Sequence, residues 1–195
     1  MGIQEQIDDD PGWAIDWKMI PLAFIPQVAA RRMSRSSHRD GLLDLRTLFL
    51  TFCTMLVLIC TVAVPFADIT DGREHPAVSV AIVVITGILA QVVQRVNSTP
   101  LDCTSAKTLA ATYWTRFFLR TALSESTALI AFALGIALGP WWVFFIGAAF
   151  AAIGFAQLAP TKRNLLRDQD ALSLRGCAES LVAALRQPRT NAPNR

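Results

Sequence analysis

Glu125 is the residue whose type and position most directly invite chemistry. It is the only acid inside any of four long hydrophobic stretches, in the run Arg116-Phe117-Phe118-Leu119-Arg120-Thr121-Ala122-Leu123-Ser124-Glu125-Ser126-Thr127. A charge near a bilayer centre costs about 2.5–3.5 kcal/mol on insertion scales, so an acid there pairs, takes a proton, or binds and releases an ion. On an ideal helix Arg116, Arg120, Ser124 and Thr127 fall near one stripe, whereas Glu125 shares a face with Thr121, Phe118 and Leu129. Arg120 and Glu125 are five apart and diverge by about 140°, which does not make an intrahelical salt bridge. With the helix entering near Arg116, Glu125 lies about 13 Å further along it. The arginines can snorkel back to the surface; a short carboxylate has less reach. Three readings stay open: a buried polar contact holding helices in register, a protonated hydrogen bonder, and a carboxylate that binds and releases a proton or cation.

The elements that position these residues follow from composition. The 195-residue chain is 53% hydrophobic and only 17% charged, where soluble domains approach a quarter charged. The apolar excess lies in segments near 48–66, 77–96, 117–138 and 141–158, each long enough to cross a bilayer. The expected fold class is an all-α integral membrane protein with four transmembrane helices and amphipathic terminal segments. The expected organisation is a cytosolic or interfacial segment 1–44, a four-helix transmembrane domain 45–160, and a cytosolic amphipathic helix and tail 161–195. The third helix is expected to start near Ser105 and so project beyond the membrane.

Charge sets the orientation. Arg31, Arg32, Arg35, Arg39 and Arg46 precede the first span, and Lys162, Arg163 and Arg167 follow the fourth. The first loop instead carries Asp68, Asp71 and Glu74 against Arg73, while the second has Arg95 and Lys107. The positive-inside rule therefore puts both termini and the second loop in the cytoplasm, with the chain in the cell membrane. No cleavable signal peptide or myristoylation site is expected.

Small residues locate the packing. Gly135 and Gly139 are spaced Gly-x-x-x-Gly, and Gly147 and Gly154 lie in an alanine-rich fourth span, which predicts close approach within the third-to-fourth hairpin. Trp13 to Ile25, broken by Pro21 and Pro26, predicts a segment lying on the membrane or packed on the bundle. Beyond Pro160, Leu174, Ala178, Leu181 and Leu185 recur at helical spacing, predicting an amphipathic helix, broken or weakened at Gly176, that lies on the membrane, caps the bundle or binds a partner helix.

The stretch from Arg120 to Leu129 resembles the carboxylate-bearing helix of rotary ATP synthase ring subunits (subunit c), and Gln94-Arg95 to Pro100 resembles their polar loop. The resemblance covers residues 91–130 and implies that Glu125 is a proton-binding carboxylate. That family's glycine-rich first helix has no counterpart, since the second span holds only Gly87. The chain as a whole is similar to small four-helix bacterial membrane proteins of unknown function.

Catalytic residues, metal ligands and cofactors are not expected. His38 and His75 fall on opposite sides of the membrane, and no nucleophile, base or paired-carboxylate constellation shares one face. The four cysteines show no metal or disulfide spacing, and Cys103 and Cys177 are expected as reduced cytoplasmic thiols. The expected partners are the lipid bilayer and a membrane-protein partner or second copy, with no specific nucleic acid. The leading expectation is a non-enzymatic accessory or scaffolding subunit of a membrane assembly. The alternative is a small proton- or cation-coupled transporter using Glu125.

Overall fold

The computed structural model describes residues 40–66, 76–96, 101–138 and 141–187. The segments carrying Trp13 to Ile25, both histidines and Gly139 lie outside the described residues. All regular structure among the described residues is helical: α1 Gly41–Ala63, α2 Pro76–Val96, α3 Ala106–Leu138, α4 Val143–Leu158, α5 Lys162–Ser173 and α6 Leu181–Arg186. Helices α1, α2 and α3 are long and apolar enough to cross a membrane, and a third or less of the residues in their most apolar windows are buried. Helix α4, at 16 residues, is about 24 Å long and shorter than a full span on its own.

Local chemistry fixes the helix ends. The Asp40 carboxylate accepts the Leu42 N–H at 3.0 Å, so α1 starts several residues before its apolar run. Pro65 ends it within a 3-10 turn over Val64–Phe66. Pro76 opens α2, where its missing N–H costs nothing. Ser105 accepts the Thr108 N–H at 3.2 Å ahead of α3, the start that the sequence predicts. With 33 residues, α3 is about 50 Å long, more than the ~30 Å hydrocarbon layer requires.

The chain divides into two compact units. One comprises Cys53–Thr99 and Thr115–Leu158. Its core is made of small and aromatic side chains: Ala63, Ala128, Phe144, Ala148 and Ala151 in one cluster, and Val83, Ala131 and Val143 in another. Gly147 backs onto Thr127, Ala128 and Ala131, so a Cβ there would meet the Thr127 carbonyl at 2.8 Å as well as the Ala131 methyl. Gly154 faces Ser124, and a Cβ at Gly135 would lie 3.2 Å from the Trp141 ring. Gly87 lies under the Phe150 ring. Backbone approach through absent side chains is what packs helices in lipid, where burial from water offers no drive.

The other unit comprises residues up to Phe52, Pro100–Trp114 and Ala159 onward. Leu42, Leu45, Leu109, Leu165, Leu172, Leu181 and Leu185 are all essentially buried. Arg46, which the charge count treats as an orientation marker, is 0% exposed and donates from Nε to the Pro160 carbonyl at 3.2 Å. Buried Gln169 joins α5 to α6: its Oε1 accepts the Leu181 N–H at 2.6 Å, and its Nε2 donates to the Glu179 carbonyl at 3.3 Å. Arg186 closes the unit with an ion pair to Asp40 at 3.1 Å.

One expectation is met and one corrected in this unit. The C-terminal segment is two helices, broken around Gly176. Gly176 adopts φ +81°, a left-handed conformation that interrupts the helix, and Leu174 and Ala178 are exposed in the connection. The apolar face of α5 and α6 is already buried, so it is not a free docking stripe. Second, Cys103 and Cys177 are a disulfide, with Cα atoms 5.7 Å apart, rather than separate thiols. Their separation of 74 residues hides the pairing from any reading of local spacing.

Candidate functional site

Helix α3 presents two chemically different faces. Thr121, Ser124, Thr127, Ala128 and Ala131 turn inward and are buried, whereas Phe118, Leu129 and Ile136 are exposed. Glu125 sits between them, half-buried. Its carboxylate makes no hydrogen bond or ion pair with any described residue, although it lies close enough to the Cys53 thiol of α1 for electrostatic interaction. One turn earlier the Thr121 hydroxyl is buried and has no hydrogen-bond partner among the described residues.

The inward stripe belongs to a polar seam across α2, α3 and α4. Arg120 donates from Nη2 to the Gln94 carbonyl at 3.2 Å, and Gln94 Nε2 donates to Ser124 Oγ at 3.0 Å. Ser124 Oγ in turn donates to the Arg120 carbonyl at 3.0 Å. A second pair of amides continues it: Gln157 Nε2 donates to Gln91 Oε1 at 3.1 Å, and Gln91 Nε2 to the Phe150 carbonyl at 3.2 Å. Each amide is thus engaged by a neighbouring helix, which makes the seam a brace rather than an open ligand cradle. Gly154 is needed here, because a Cβ would occupy the space of Ser124 Oγ and approach Gln91 Nε2 at 3.4 Å.

The candidate residues therefore separate. Arg120 and Ser124 join the seam, and Thr121 is buried without entering it. Arg116 keeps a buried Nε with no hydrogen-bond partner among the described residues. Gly147 and Gly154 meet α3, and Gly135 meets Trp141. In the sequence Gln94 stands out only beside the polar-loop resemblance, and Gln91 and Gln157 do not stand out at all. Gln94 is 4% exposed and central to the seam. Three glutamines within otherwise apolar runs were the available signal, since an amide in lipid seeks a partner.

No group of three His, Cys, Asp or Glu side chains that could hold a metal occurs among the described residues. The described residues define an all-α protein with three helices, or up to four, long and apolar enough to cross a membrane, and a polar seam joining α2, α3 and α4. The chain matches no family model, no curated protein and no solved structure.

Proposed function

We propose that this chain is a non-enzymatic, multi-pass membrane protein serving as an accessory or scaffolding subunit of a larger membrane assembly. In this reading α4 completes a fourth span, and both termini face the cytoplasm of the cell. The observation that carries it is Glu125, a half-buried carboxylate at the edge of the exposed face of α3 with no ion-pair partner among the described residues. Leaving such a group against lipid is unfavourable by kilocalories, and a neighbouring transmembrane helix that donates a hydrogen bond or a positive charge relieves it. The expectation of a partner thereby moves from the C-terminal helices, whose apolar face is buried, to the Glu125 face of α3.

The test is recovery of the full-length chain from native membranes in mild detergent. A membrane protein should co-purify in fixed ratio, be retained with Glu125→Gln and be lost with Glu125→Leu. Recovery of the chain alone, at native expression, contradicts the proposal.

A second reading takes Glu125 as the titrating carboxylate of a proton- or cation-coupled transporter. The unpartnered Thr121 hydroxyl one turn away favours it, since a carboxylate and a free hydroxyl supply ligands for a small cation. Here Glu125→Gln should abolish ion uptake into vesicles while leaving any partner bound. Uptake that survives Glu125→Gln removes this reading.

A further inference from the structure

We propose that Cys103 and Cys177 form a thiol–disulfide exchange site on the cytosolic side of the membrane, with a dithiol as its reaction partner. The two sulfurs come from segments far apart in the chain: the turn leading into α3 and the connection between α5 and α6. Their siting in the cytosol rests on the proposed orientation, in which Arg95, Lys107, Lys162 and Arg163 mark this side. Disulfides persist as structural bonds in oxidising compartments, whereas those of a reducing cytosol are transient and exchange with the thiol pool. A pair held at bonding distance on the basic side is therefore an exchange-active couple.

The surroundings make the two sulfurs unequal. Cys177 is 7% exposed, while Cys103 is partly open to solvent. Attack accordingly falls on Cys103. One thiolate of the dithiol bonds to the Cys103 sulfur, and the Cys103–Cys177 bond breaks, with its electron pair leaving on Cys177, which takes a proton. The second thiol of the reductant, on losing its proton, then displaces Cys103. This releases Cys103 as a thiolate that is protonated and leaves the reductant as a disulfide, two electrons having been transferred. The reverse reaction requires a disulfide or an equivalent two-electron oxidant.

Reduction acts on the connection around Gly176. That turn holds the Cys177 N–H against the Leu172 carbonyl at 3.1 Å. Helix α6 remains tied by Gln169 and by the Arg186–Asp40 ion pair. Leu174 to Glu179 loses its covalent anchor, and exposed Arg175 lies within this stretch. The couple thus controls access to the α5–α6 connection without dismantling the unit.

The experiment uses the full chain in its native membrane with Cys53→Ala and Cys60→Ala, so that only the pair is counted. Cells are acid-quenched, free thiols are blocked with N-ethylmaleimide, and the bonded thiols are then reduced and tagged with a polymeric maleimide. The expected result is protection of both thiols after brief diamide treatment and loss of that protection on adding dithiothreitol to the intact membranes. Trypsin should cleave after Arg175 several-fold faster in the reduced state. Cys103→Ser should leave Cys177 unprotected in diamide. A bond that resists dithiothreitol until the protein is denatured overturns the exchange site, as does a pair never protected in diamide. Reduction of the bond in intact cells by a membrane-impermeant phosphine places the pair outside. That result overturns the cytosolic siting while leaving the Glu125 proposal standing.

Discussion

Arg46 and Glu125 are both charged residues inside largely apolar helices, yet the chain treats them in opposite ways. Arg46 is wholly buried and donates to the Pro160 carbonyl, in a unit further joined by Gln169, the Asp40–Arg186 ion pair and a disulfide. Glu125 lies half-buried in the other unit, at the edge of its exposed face, and no described residue forms an ion pair with it. The first unit completes its polar groups from distant parts of its own sequence. The second completes its glutamines through the seam but leaves its acid unmatched. In a low-dielectric setting an unmatched charge points to something beyond the chain: a proton, a cation or another helix.

Removing the buried charge should have the largest effect. Arg46→Ala leaves a cavity and strips the Pro160 carbonyl of its donor, and should destabilise its unit by about 3–5 kcal/mol. Limited proteolysis of the C-terminal segment checks this, and unchanged protection would mean that Arg46 is not structural. Next in size is Gly147→Val, which forces side-chain carbons into the Thr127 carbonyl and the Ala131 methyl of α3. An overpacked contact of this kind should cost about 2–3 kcal/mol, read as a lower unfolding midpoint in detergent.

Smaller effects sharpen the contrast within the seam itself. Gln94→Leu removes its bond to Ser124, but Ser124 keeps its bond to the Arg120 carbonyl. Interhelical bonds in membranes average about 0.6 kcal/mol, so the loss should be of that order. A loss of several kilocalories would show that the seam acts cooperatively. Glu125→Gln should be smallest of all, within about 0.5 kcal/mol for the isolated chain, because no hydrogen bond or ion pair among the described residues depends on the charge. A large destabilisation there would mean that Glu125 is paired inside the chain.

The long apolar helices were legible in the sequence. Apolar length gives α1, α2 and α3, and the start of α3 near Ser105 follows from the turn before it. Gly147 and Gly154 carry the close approach to α3 because only small residues permit it. The unit holding Arg46 was far less legible, since its contacts join residues more than a hundred positions apart, as in Arg46 with Pro160 and Asp40 with Arg186. A composition argument sees Arg46 as one more basic residue beside a span. It sees Cys103 and Cys177 as isolated thiols for the same reason. At the candidate site, helical spacing separates Arg120 from Glu125, but it cannot say that Arg120 turns to Gln94 on another helix.

The central claim is that the Glu125 face of α3 meets a partner transmembrane helix. A photo-crosslinking amino acid at Leu129, which is 55% exposed and one turn from Glu125, tests it in native membranes. The account predicts a discrete crosslinked membrane protein at Leu129 that persists with Glu125→Gln and disappears with Glu125→Leu, and no such product from the same probe at exposed Ile85 on α2. Lipid adducts alone at Leu129, or identical products at both positions, would contradict it.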